Sequence, residues 1–258
     1  MDQQPRNILI TGASSGIGAA LAEIYAAPGV TLFLGGRDET RLADLAGRCK
    51  TAGAACQTAA IDVTDHVAMK AWVEACDAQG NLDLVVANAG ISAGTGFAGE
   101  SPEQTRRIME TNVDGAFNTV LPVLPAMVAR KRGQVAVMSS LASFRGFPGA
   151  PAYCASKATL RLWGEGQRVW LRQHNVKLSV ICPGFVRTPM SDGNPYPMPF
   201  LMDAERSARI IKRGLARNKA RIAFPWQTTW LAQLVAMLPL ALTDALLAKT
   251  PSKPSQEG

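Results

Sequence analysis

Near its start the chain reads Asn7-Ile8-Leu9-Ile10-Thr11-Gly12-Ala13-Ser14-Ser15-Gly16-Ile17-Gly18. The run up to Thr11 has the composition of a buried strand, and apolar residues recur at helical spacing after Gly16. The glycines between them allow a tight turn, close approach of the backbone to a pyrophosphate and close packing of helix on strand. A purely structural turn is the alternative. The position of the loop, after the first strand and before the first helix, favours nucleotide binding by Gly12, Ser14, Ser15, Gly16, Ile17 and Gly18.

Strand-like and helix-like patterns alternate through the rest of the chain. Strands are predicted at 7–11, 31–34, 55–61, 82–87, 134–139, 177–182 and 222–224, and helices at 16–27, 39–49, 102–131 and 153–174. Strands separated by helices of this length predict an α/β fold with a parallel sheet. Because no Pro/Gly/Ser-rich linker divides the chain, we expect one domain over residues 1–249. Its nucleotide-binding half would span about 6–135, its catalytic and substrate half about 136–249, and a flexible tail 250–258.

Composition excludes several classes of protein. The 258 residues are 47% hydrophobic and 18% charged, which excludes intrinsic disorder. The net charge is +7, but residues 204–221 carry seven cations against one acid, which a solvated helix face explains, and no nucleic-acid-binding motif accompanies them. Two histidines cannot form a His-rich metal site, and five scattered cysteines are typical of reduced thiols. We therefore expect a protein that binds neither metal nor nucleic acid. Since no signal-peptide pattern is present, we expect it in the cytoplasm.

The end of the second predicted strand bears on the choice of dinucleotide. Leu34-Gly35-Gly36-Arg37 places small residues before a cation, where NAD-binding chains usually carry an acid for the ribose 2′-hydroxyl. A guanidinium matches a 2′-phosphate, and Arg41 follows one helical turn later. We therefore expect NADP(H) rather than NAD(H), with a solvated surface role for Arg37 as the alternative.

Asp62 and Val63 follow the third predicted strand. The Asp62 carboxylate and the Val63 amide are candidates for holding the adenine. Capping of the helix that starts near Asp65 is the alternative role for Asp62.

Tyr153 is the one tyrosine of three that is followed four residues later by a lysine, Lys157. On a helix this spacing places both side chains on one face. A nearby ammonium lowers the pKa of a phenol, so Tyr153 is a candidate for proton exchange near neutral pH. Ser140 lies at the end of a predicted strand, which is the ligand-facing edge of an open α/β sheet.

Together these motifs resemble the short-chain dehydrogenases/reductases, in their shorter, single-domain branch. The matches are Thr11-Gly12-x-x-x-Gly16-x-Gly18, Asp62-Val63, Asn88-Ala89-Gly90, Asn112, Ser139-Ser140, Tyr153-x-x-x-Lys157 and Pro183-Gly184 with Thr188, over about residues 6–190. The resemblance implies a three-layer Rossmann fold on a doubly wound parallel sheet of about seven strands. It also implies subunits that pair through the long helices near 102–131 and 153–174.

The resemblance further implies a role for each matching residue. Tyr153 would protonate the carbonyl oxygen during reduction, Lys157 would lower the Tyr153 pKa and hold the nicotinamide ribose, and Ser140 would polarise the carbonyl. Asn112 would kink the long helix and anchor a water behind Lys157. The implied cofactor contacts are Asn88, Ala89 and Gly90 on the adenosine side, and Pro183, Gly184, Val186 and Thr188 around the nicotinamide.

The last third of the chain shapes the substrate side. Residues 189–202 are rich in Pro and Gly, and in the family this region is the substrate lid. Its Met, Phe and Tyr residues favour an apolar substrate, although an ordinary loop with apolar anchors explains them equally well. Residues 222–243 carry no charge, and the helix predicted at 230–242 is apolar nearly all round. Something must cover such a helix, and the candidates are a partner subunit, the lid or the outer layer of a bilayer. We expect oligomer contact or peripheral membrane contact through residues 226–248.

The sequence thus predicts an NADP(H)-dependent oxidoreductase that transfers hydride between the nicotinamide and a carbonyl or secondary alcohol of an apolar substrate. We expect a homodimer or homotetramer. The alternative is a non-catalytic, nucleotide-sensing protein that keeps the same fold.

Overall fold

The computed structural model describes residues 4–95, 99–192, 194 and 197–247. The strands among these residues are β1 (Asn7–Thr11), β2 (Thr31–Gly36), β3 (Ala55–Ala60), β4 (Leu84–Ala87), β5 (Gln134–Met138), β6 (Lys177–Pro183), β7 (Val186–Arg187), β8 (Met202–Asp203) and β9 (Arg221–Phe224). The α-helices are α1 (Gly16–Tyr25), α2 (Glu39–Thr51), α3 (His66–Gly80), α4 (Pro102–Met109), α5 (Gly115–Val120), α6 (Leu124–Ala129), α7 (Pro151–Gln173), α8 (Ala204–Ala216), α9 (Trp226–Met237) and α10 (Leu240–Leu247). The predicted tail at 250–258 lies outside the described residues.

Seven of the strands form one parallel sheet in the order β3-β2-β1-β4-β5-β6-β9. Each neighbouring pair is parallel, as in the register of Ile8 opposite Leu32 on one side of β1 and opposite Leu84 on the other. The chain leaves β1 toward β2 and later returns to the other side of β1 with β4, so the strand order reverses there. In open α/β sheets ligands bind at this switch point, beyond the carboxyl ends of the strands. The prediction of a doubly wound parallel sheet of about seven strands is confirmed.

Helices cover both faces of the sheet and create two cores. Ile8 and Ile10 of β1 point into a core with Leu21 of α1 and Ile211 of α8, whereas Leu9 points into the opposite core. This alternation along a fully buried strand is the period-two pattern of a pleated sheet. The result is the three-layer Rossmann arrangement that the resemblance implies.

The helix predicted over residues 102–131 is not continuous. It divides into α4, a π-helical turn at Glu110–Asp114, α5 and α6. Pro122 and Pro125 lie in and just after the break between α5 and α6. Proline lacks the N–H that a helix interior requires, and it is tolerated at a helix start, so these two residues end α5 and begin α6.

The helix predicted at 230–242 is also wrong in its bounds. The structure has two helices, α9 and α10, separated at Leu238 and Pro239. Leu238 is extended, with φ −75° and ψ 145°, because the ring of a following proline disfavours helical backbone. None of the helices within the described part of the chain is long and apolar enough to cross a membrane.

A two-stranded parallel ribbon lies outside the main sheet. It joins β7 to β8 through the pairs Val186–Met202 and Arg187–Asp203. The lid predicted at 189–202 therefore begins two residues after β7 and ends in β8. Met202, which the sequence assigned to the irregular lid, belongs to this ribbon and is buried.

Candidate active site

The glycine loop follows β1 at the switch point of the sheet. Gly12 and Gly16 have φ values of +65° and +58°, a conformation that residues with a Cβ rarely adopt. A Cβ on Gly18 would lie 2.4 Å from the Gly12 carbonyl oxygen, so this position also excludes a side chain. The loop therefore has no side chains at these three positions. Gly16 and Ile17, at the start of α1, line the cavity, and a helix N-terminus without obstructing side chains suits a bound phosphate.

Asn88, at the end of β4, fixes the shape of this loop. Its Nδ2 donates to the carbonyl oxygens of Thr11 at 3.0 Å and Gly12 at 3.2 Å. The Asn88 amide donates in turn to Thr11 Oγ1 at 3.2 Å. Two neighbouring strand ends are thus tied together beneath the loop, and Asn88, Ala89 and Gly90 line the cavity beside it.

The end of β2 combines two glycines with two cations. Gly36 packs against Ser14, and the exposed Arg37 lines the cavity. Asp38 accepts a hydrogen bond from the Arg41 amide at 2.9 Å, which caps α2, and its carboxylate lies 3.2 Å from the Arg41 guanidinium. The sequence analysis missed Asp38, although an Asp just before a helical pattern is the usual signal of an N-cap.

Asp62 and Val63 also lie at this end of the cavity. The alternative interpretation of Asp62 as a helix cap is wrong, because Asp65 caps α3 by accepting from the Ala68 amide at 2.9 Å. Asp62 instead accepts from both the amide and the hydroxyl of Thr64, each at 2.9 Å. Partial burial raises the pKa of Asp62, but the Thr64 hydrogen bonds and the nearby Arg37 outweigh it, so the pKa is lowered overall.

Ser140 lies two residues after the end of β5, at the predicted edge of the sheet. Its hydroxyl accepts from the Ala142 amide at 3.1 Å and so caps a short 3₁₀ turn at Leu141–Ser143. The same oxygen is 3.4 Å from the Pro183 carbonyl oxygen, a long and weak hydrogen bond. The Ser140 hydroxyl proton is therefore loosely held beside the cavity. The neighbouring Ser139 points into the core and donates to the Lys157 carbonyl at 2.7 Å.

Tyr153 and Lys157 lie one turn apart on α7 and share one wall of the cavity. The Lys157 ammonium is 5.7 Å from the centre of the Tyr153 ring and donates to the Met138 carbonyl oxygen at 2.9 Å. Burial lowers the pKa of Lys157 from 10.5 to about 8. Beside it, burial raises the pKa of the Cys182 thiol to about 11, so that thiol remains neutral at neutral pH.

Asn112 is fully buried behind this pair, in the π-helical turn. Its Oδ1 accepts from the Ile91 amide at 2.7 Å, and its Nδ2 donates to the Ile91 carbonyl at 3.0 Å and to Ser156 Oγ at 2.9 Å. A Cβ on Gly90 would lie 2.9 Å from Asn112 Oδ1 and 3.2 Å from Lys157 Nζ, so the three residues pack together. The break in the helix at Asn112 agrees with the kink that the resemblance implies.

The segment after β6 closes over the glycine loop. A Cβ on Gly16 would lie 3.0 Å from Thr188 Cγ2, which shows how closely the two segments approach. Ser191, nearly buried, donates to the Val186 carbonyl and accepts from the Thr188 amide, both at 2.9 Å. These bonds hold the first turn of the predicted lid in place.

All these elements enclose one cavity of about 980 Å³. Most predicted site residues line it: Gly12, Ser14, Ser15, Gly16, Ile17, Arg37, Arg41, Asp62, Val63, Asn88, Ala89, Gly90, Ser140, Tyr153, Lys157, Pro183, Gly184, Val186 and Thr188. Gly18 and Asn112 lie behind its wall. Cavity residues that the sequence analysis missed include Asp38, Thr111, Arg145, Phe147 and Thr228. Nothing in their local sequence distinguishes the last four, because tertiary packing alone brings them here.

Among the described residues, no group of three or more His, Cys, Asp or Glu side chains is placed to hold a metal ion. The five cysteines are free thiols; Cys49, Cys76, Cys154 and Cys182 are buried, and Cys56 is half-buried.

Comparison with known proteins identifies the same scaffold. A family model described as short chain dehydrogenase matches residues 6–196. An uncharacterized oxidoreductase from Myxococcus xanthus is 42% identical over 241 residues, which cover 93% of this chain and 95% of the relative.

Solved structures agree with this assignment. A short chain dehydrogenase from Mycobacterium paratuberculosis, bound to NAD, has a TM-score of 0.75 at 25% identity and covers 84% of this chain and 94% of its own. A short-chain dehydrogenase from Sphingobium yanoikuyae, in complex with NADPH, has a TM-score of 0.79 at 24% identity and covers 98% of this chain and 99% of its own. The chain therefore belongs to the short-chain dehydrogenase/reductase family and is an oxidoreductase of that family.

Proposed function

We propose that this protein is an NADP(H)-dependent oxidoreductase that interconverts a carbonyl and a secondary alcohol. One observation carries the proposal: Tyr153 and Lys157, with the ammonium 5.7 Å from the ring centre, share a cavity with the glycine loop. A cofactor and a substrate bound together in this cavity would then contact a proton donor, a cation that lowers the pKa of that donor, and the glycine loop.

The cavity suits a dinucleotide in shape and in chemistry. Side chains on Gly12, Gly16 or Gly18 would fill the space or strain the backbone that a pyrophosphate requires. Arg37, Asp62 and Val63 would hold the adenosine end, and Lys157 and Thr188 would hold the nicotinamide end. When bound, the nicotinamide supplies or accepts the hydride.

The chain's own residues then manage the proton and the developing charge. In reduction, the Tyr153 hydroxyl gives its proton to the carbonyl oxygen, and the Lys157 ammonium stabilises the phenolate that remains. Ser140 donates a hydrogen bond to the same oxygen after giving up its weak 3.4 Å contact with Pro183. Asn112 ties the loop after β4, at Ile91, to Ser156 of α7 behind them.

The preference for NADP(H) rests on the charges around β2. Gly36 leaves the ribose edge open, and Arg37 is exposed beside it. The nearest acid, Asp38, already caps α2 and pairs with Arg41, so its carboxylate is engaged elsewhere. A 2′-phosphate would meet a cation here and would add no repulsion from an unpaired acid.

The substrate side favours an apolar body. Its walls include Leu141, Phe147, Met190, Leu231 and Val235. Such walls exclude water from the reacting carbonyl and strengthen the Ser140 and Tyr153 hydrogen bonds.

We propose a cytoplasmic homo-oligomer. The apolar faces of α9 and α10 are open, with Trp226, Trp230 and Met237 exposed to 69%, 69% and 82%. Leu162 and Val169 of α7, on the helix through which the family pairs its subunits, are likewise exposed. Sedimentation of the purified protein tests the assembly, and flotation with phospholipid vesicles tests the competing peripheral membrane contact. A monomer that floats with vesicles would contradict the oligomer and support the membrane.

A panel of carbonyl substrates, assayed with NADPH and NADH in parallel, tests the activity. We expect oxidation of NADPH by at least one class of apolar ketone or aldehyde, with a lower kcat/KM for NADH. Tight NADPH binding without oxidation of either cofactor across the panel would instead favour the nucleotide-sensing alternative.

A further inference from the structure

Arg145 places a cation on the substrate side of the cavity. It lies in the segment between the turn at Leu141–Ser143 and α7, and it lines the cavity together with Ser140 and Tyr153. Its side chain is half-buried, and its guanidinium donates a hydrogen bond to Thr243 Oγ1 of α10. Because Thr243 is fully buried, this contact fixes the guanidinium between the cavity loop and the C-terminal helix.

No acid forms an ion pair with Arg145 in the part of the chain that the structure describes. Arg161 and Arg221 both pair with Glu165, and both stack on Phe144, the neighbour of Arg145. For Arg145 itself, Thr243 is the one hydrogen-bond partner among the described residues, and it is neutral. Asp244 borders an adjacent groove with Arg145 but forms no ion pair with it.

Arg145 is the one charged residue on the described substrate side of the cavity. The other charged residues of the cavity wall lie at the adenosine end or, in the case of Lys157, at the catalytic centre. The rest of the described substrate side is uncharged: Leu141, Phe147 and Leu231 are among its apolar walls, and Thr228 and Asn194 are neutral polar residues. An anion bound beside this half-buried guanidinium would form a charge-assisted hydrogen bond with a cation that no acid already pairs. A guanidinium also presents five donors in a plane, which matches an oxyanion through two parallel hydrogen bonds.

We infer that Arg145 binds an oxyanion of the substrate, so that the substrate class is a carbonyl compound with an apolar body and an acidic group, either a carboxylate or a phosphate monoester. This inference rests on the proposed function for the position of the carbonyl, at Ser140 and Tyr153. It modifies the purely apolar substrate that the lid composition predicts. Arg145 would act as a substrate-binding residue that orients the carbonyl, and Thr243 as the residue that positions Arg145.

The test uses methyl ketones of increasing chain length that end in a carboxylate, in its methyl ester or in a phosphate monoester. In calorimetric titrations of the full-length protein saturated with NADP⁺, no turnover occurs, so binding is measured separately from activity. We expect at least one acid to bind roughly 10- to 100-fold tighter than its ester, because a hydrogen bond to a charged group contributes at that level. The phosphate arm shows which of the two oxyanions is preferred.

Arg145→Met should abolish the preference for the acid while ester binding changes less than about threefold, and Arg145→Lys should retain part of it. Asp244→Asn, next to Thr243, is the matched control and should leave the preference unchanged. Thermal unfolding of each variant shows whether it is folded. If Arg145→Met does not fold, the reduced acid preference of Arg145→Lys still tests the inference. The inference is overturned if no acid binds better than its ester, or if Arg145→Met weakens acid and ester equally. A preserved acid preference without any carbonyl reduction would instead overturn the proposed function alone.

Discussion

The ammonium of Lys157 lies 5.7 Å from the centre of the Tyr153 ring, one helical turn away, and is almost entirely removed from water. Its hydrogen bond to the Met138 carbonyl holds it at the carboxyl end of β5. A buried cation next to a phenol stabilises the phenolate form, and the same burial makes the charged lysine unfavourable in the folded protein. The Lys157 ammonium therefore affects both proton transfer by Tyr153 and the free energy of unfolding, and each effect can be measured.

Lys157→Met should stabilise the protein without cofactor at pH 7. Burial lowers the Lys157 pKa from 10.5 to about 8, so the unfolded chain binds more protons than the folded protein between those values. The stability of the wild type therefore rises with pH across that window. We expect the stability advantage of the variant over wild type to shrink by roughly 3 kcal/mol between pH 7 and pH 10.5, because that is the free energy that the pKa shift costs the wild type at neutral pH.

Urea unfolding at a series of pH values checks this expectation. Lys70→Met is the matched control, because Lys70 is solvent-exposed in its pair with Glu74 and should show no such trend. A difference between Lys157→Met and wild type that stays constant from pH 7 to pH 10.5 would show that burial does not lower the Lys157 pKa.

Arg37→Leu should weaken NADPH and spare NADH. Removing a guanidinium from a 2′-phosphate removes a charge-assisted hydrogen bond, so we expect the NADPH dissociation constant to rise roughly 10- to 100-fold and that of NADH to change less than about threefold. Arg41→Leu should have a smaller effect, since Arg41 is already paired with Asp38. Fluorescence titration with both cofactors measures this, and equal losses for NADPH and NADH would refute the assignment of Arg37 to the phosphate.

Gly18→Ala should damage both stability and nucleotide binding. The new Cβ would lie 2.4 Å from the Gly12 carbonyl and 2.6 Å from Asn88 Nδ2, which are fixed by the hydrogen bonds beneath the loop. We expect a loss of about 1–3 kcal/mol of stability from this overpacking, and a displaced loop that binds cofactor poorly. Gly47→Ala is the control, because it is helical and has open space around it, so it should be neutral or stabilising by about 1 kcal/mol. Thermal unfolding and cofactor titration measure the two effects. Equal stability and equal cofactor binding in Gly18→Ala and Gly47→Ala would contradict the prediction.

The sequence predicts this fold well where the signal is local. Most strands of the main sheet are apolar runs that can be recognised without knowledge of their partners, and the glycine loop and the Tyr153–Lys157 spacing are local patterns of the same kind. The helix breaks at Pro122 and Pro239 were also within reach, since proline acts on its own backbone. The two-residue strands β7 and β8 were not, because only their pairing makes them strands.

Arg145 shows why part of the site escapes sequence analysis. Its partner Thr243 lies 98 residues away in the chain, on a helix that the periodicity did not separate from α9. Neither residue has a local pattern that sets it apart. The charge of the substrate side thus depends on tertiary contacts, whereas the cofactor side includes the glycine loop, whose residues are continuous in the sequence.

The most direct test of the account compares wild type and Tyr153→Phe in NADPH oxidation with a reducible carbonyl substrate, alongside NADPH titration of both proteins. The phenylalanine keeps the ring and removes only the hydroxyl that donates the proton. We predict a fall in kcat of roughly 100-fold or more, which matches the loss of a general acid, and a cofactor dissociation constant within about threefold of wild type. Undiminished turnover in Tyr153→Phe, with cofactor still bound, would contradict the assignment of Tyr153 as the proton donor and with it the proposed mechanism.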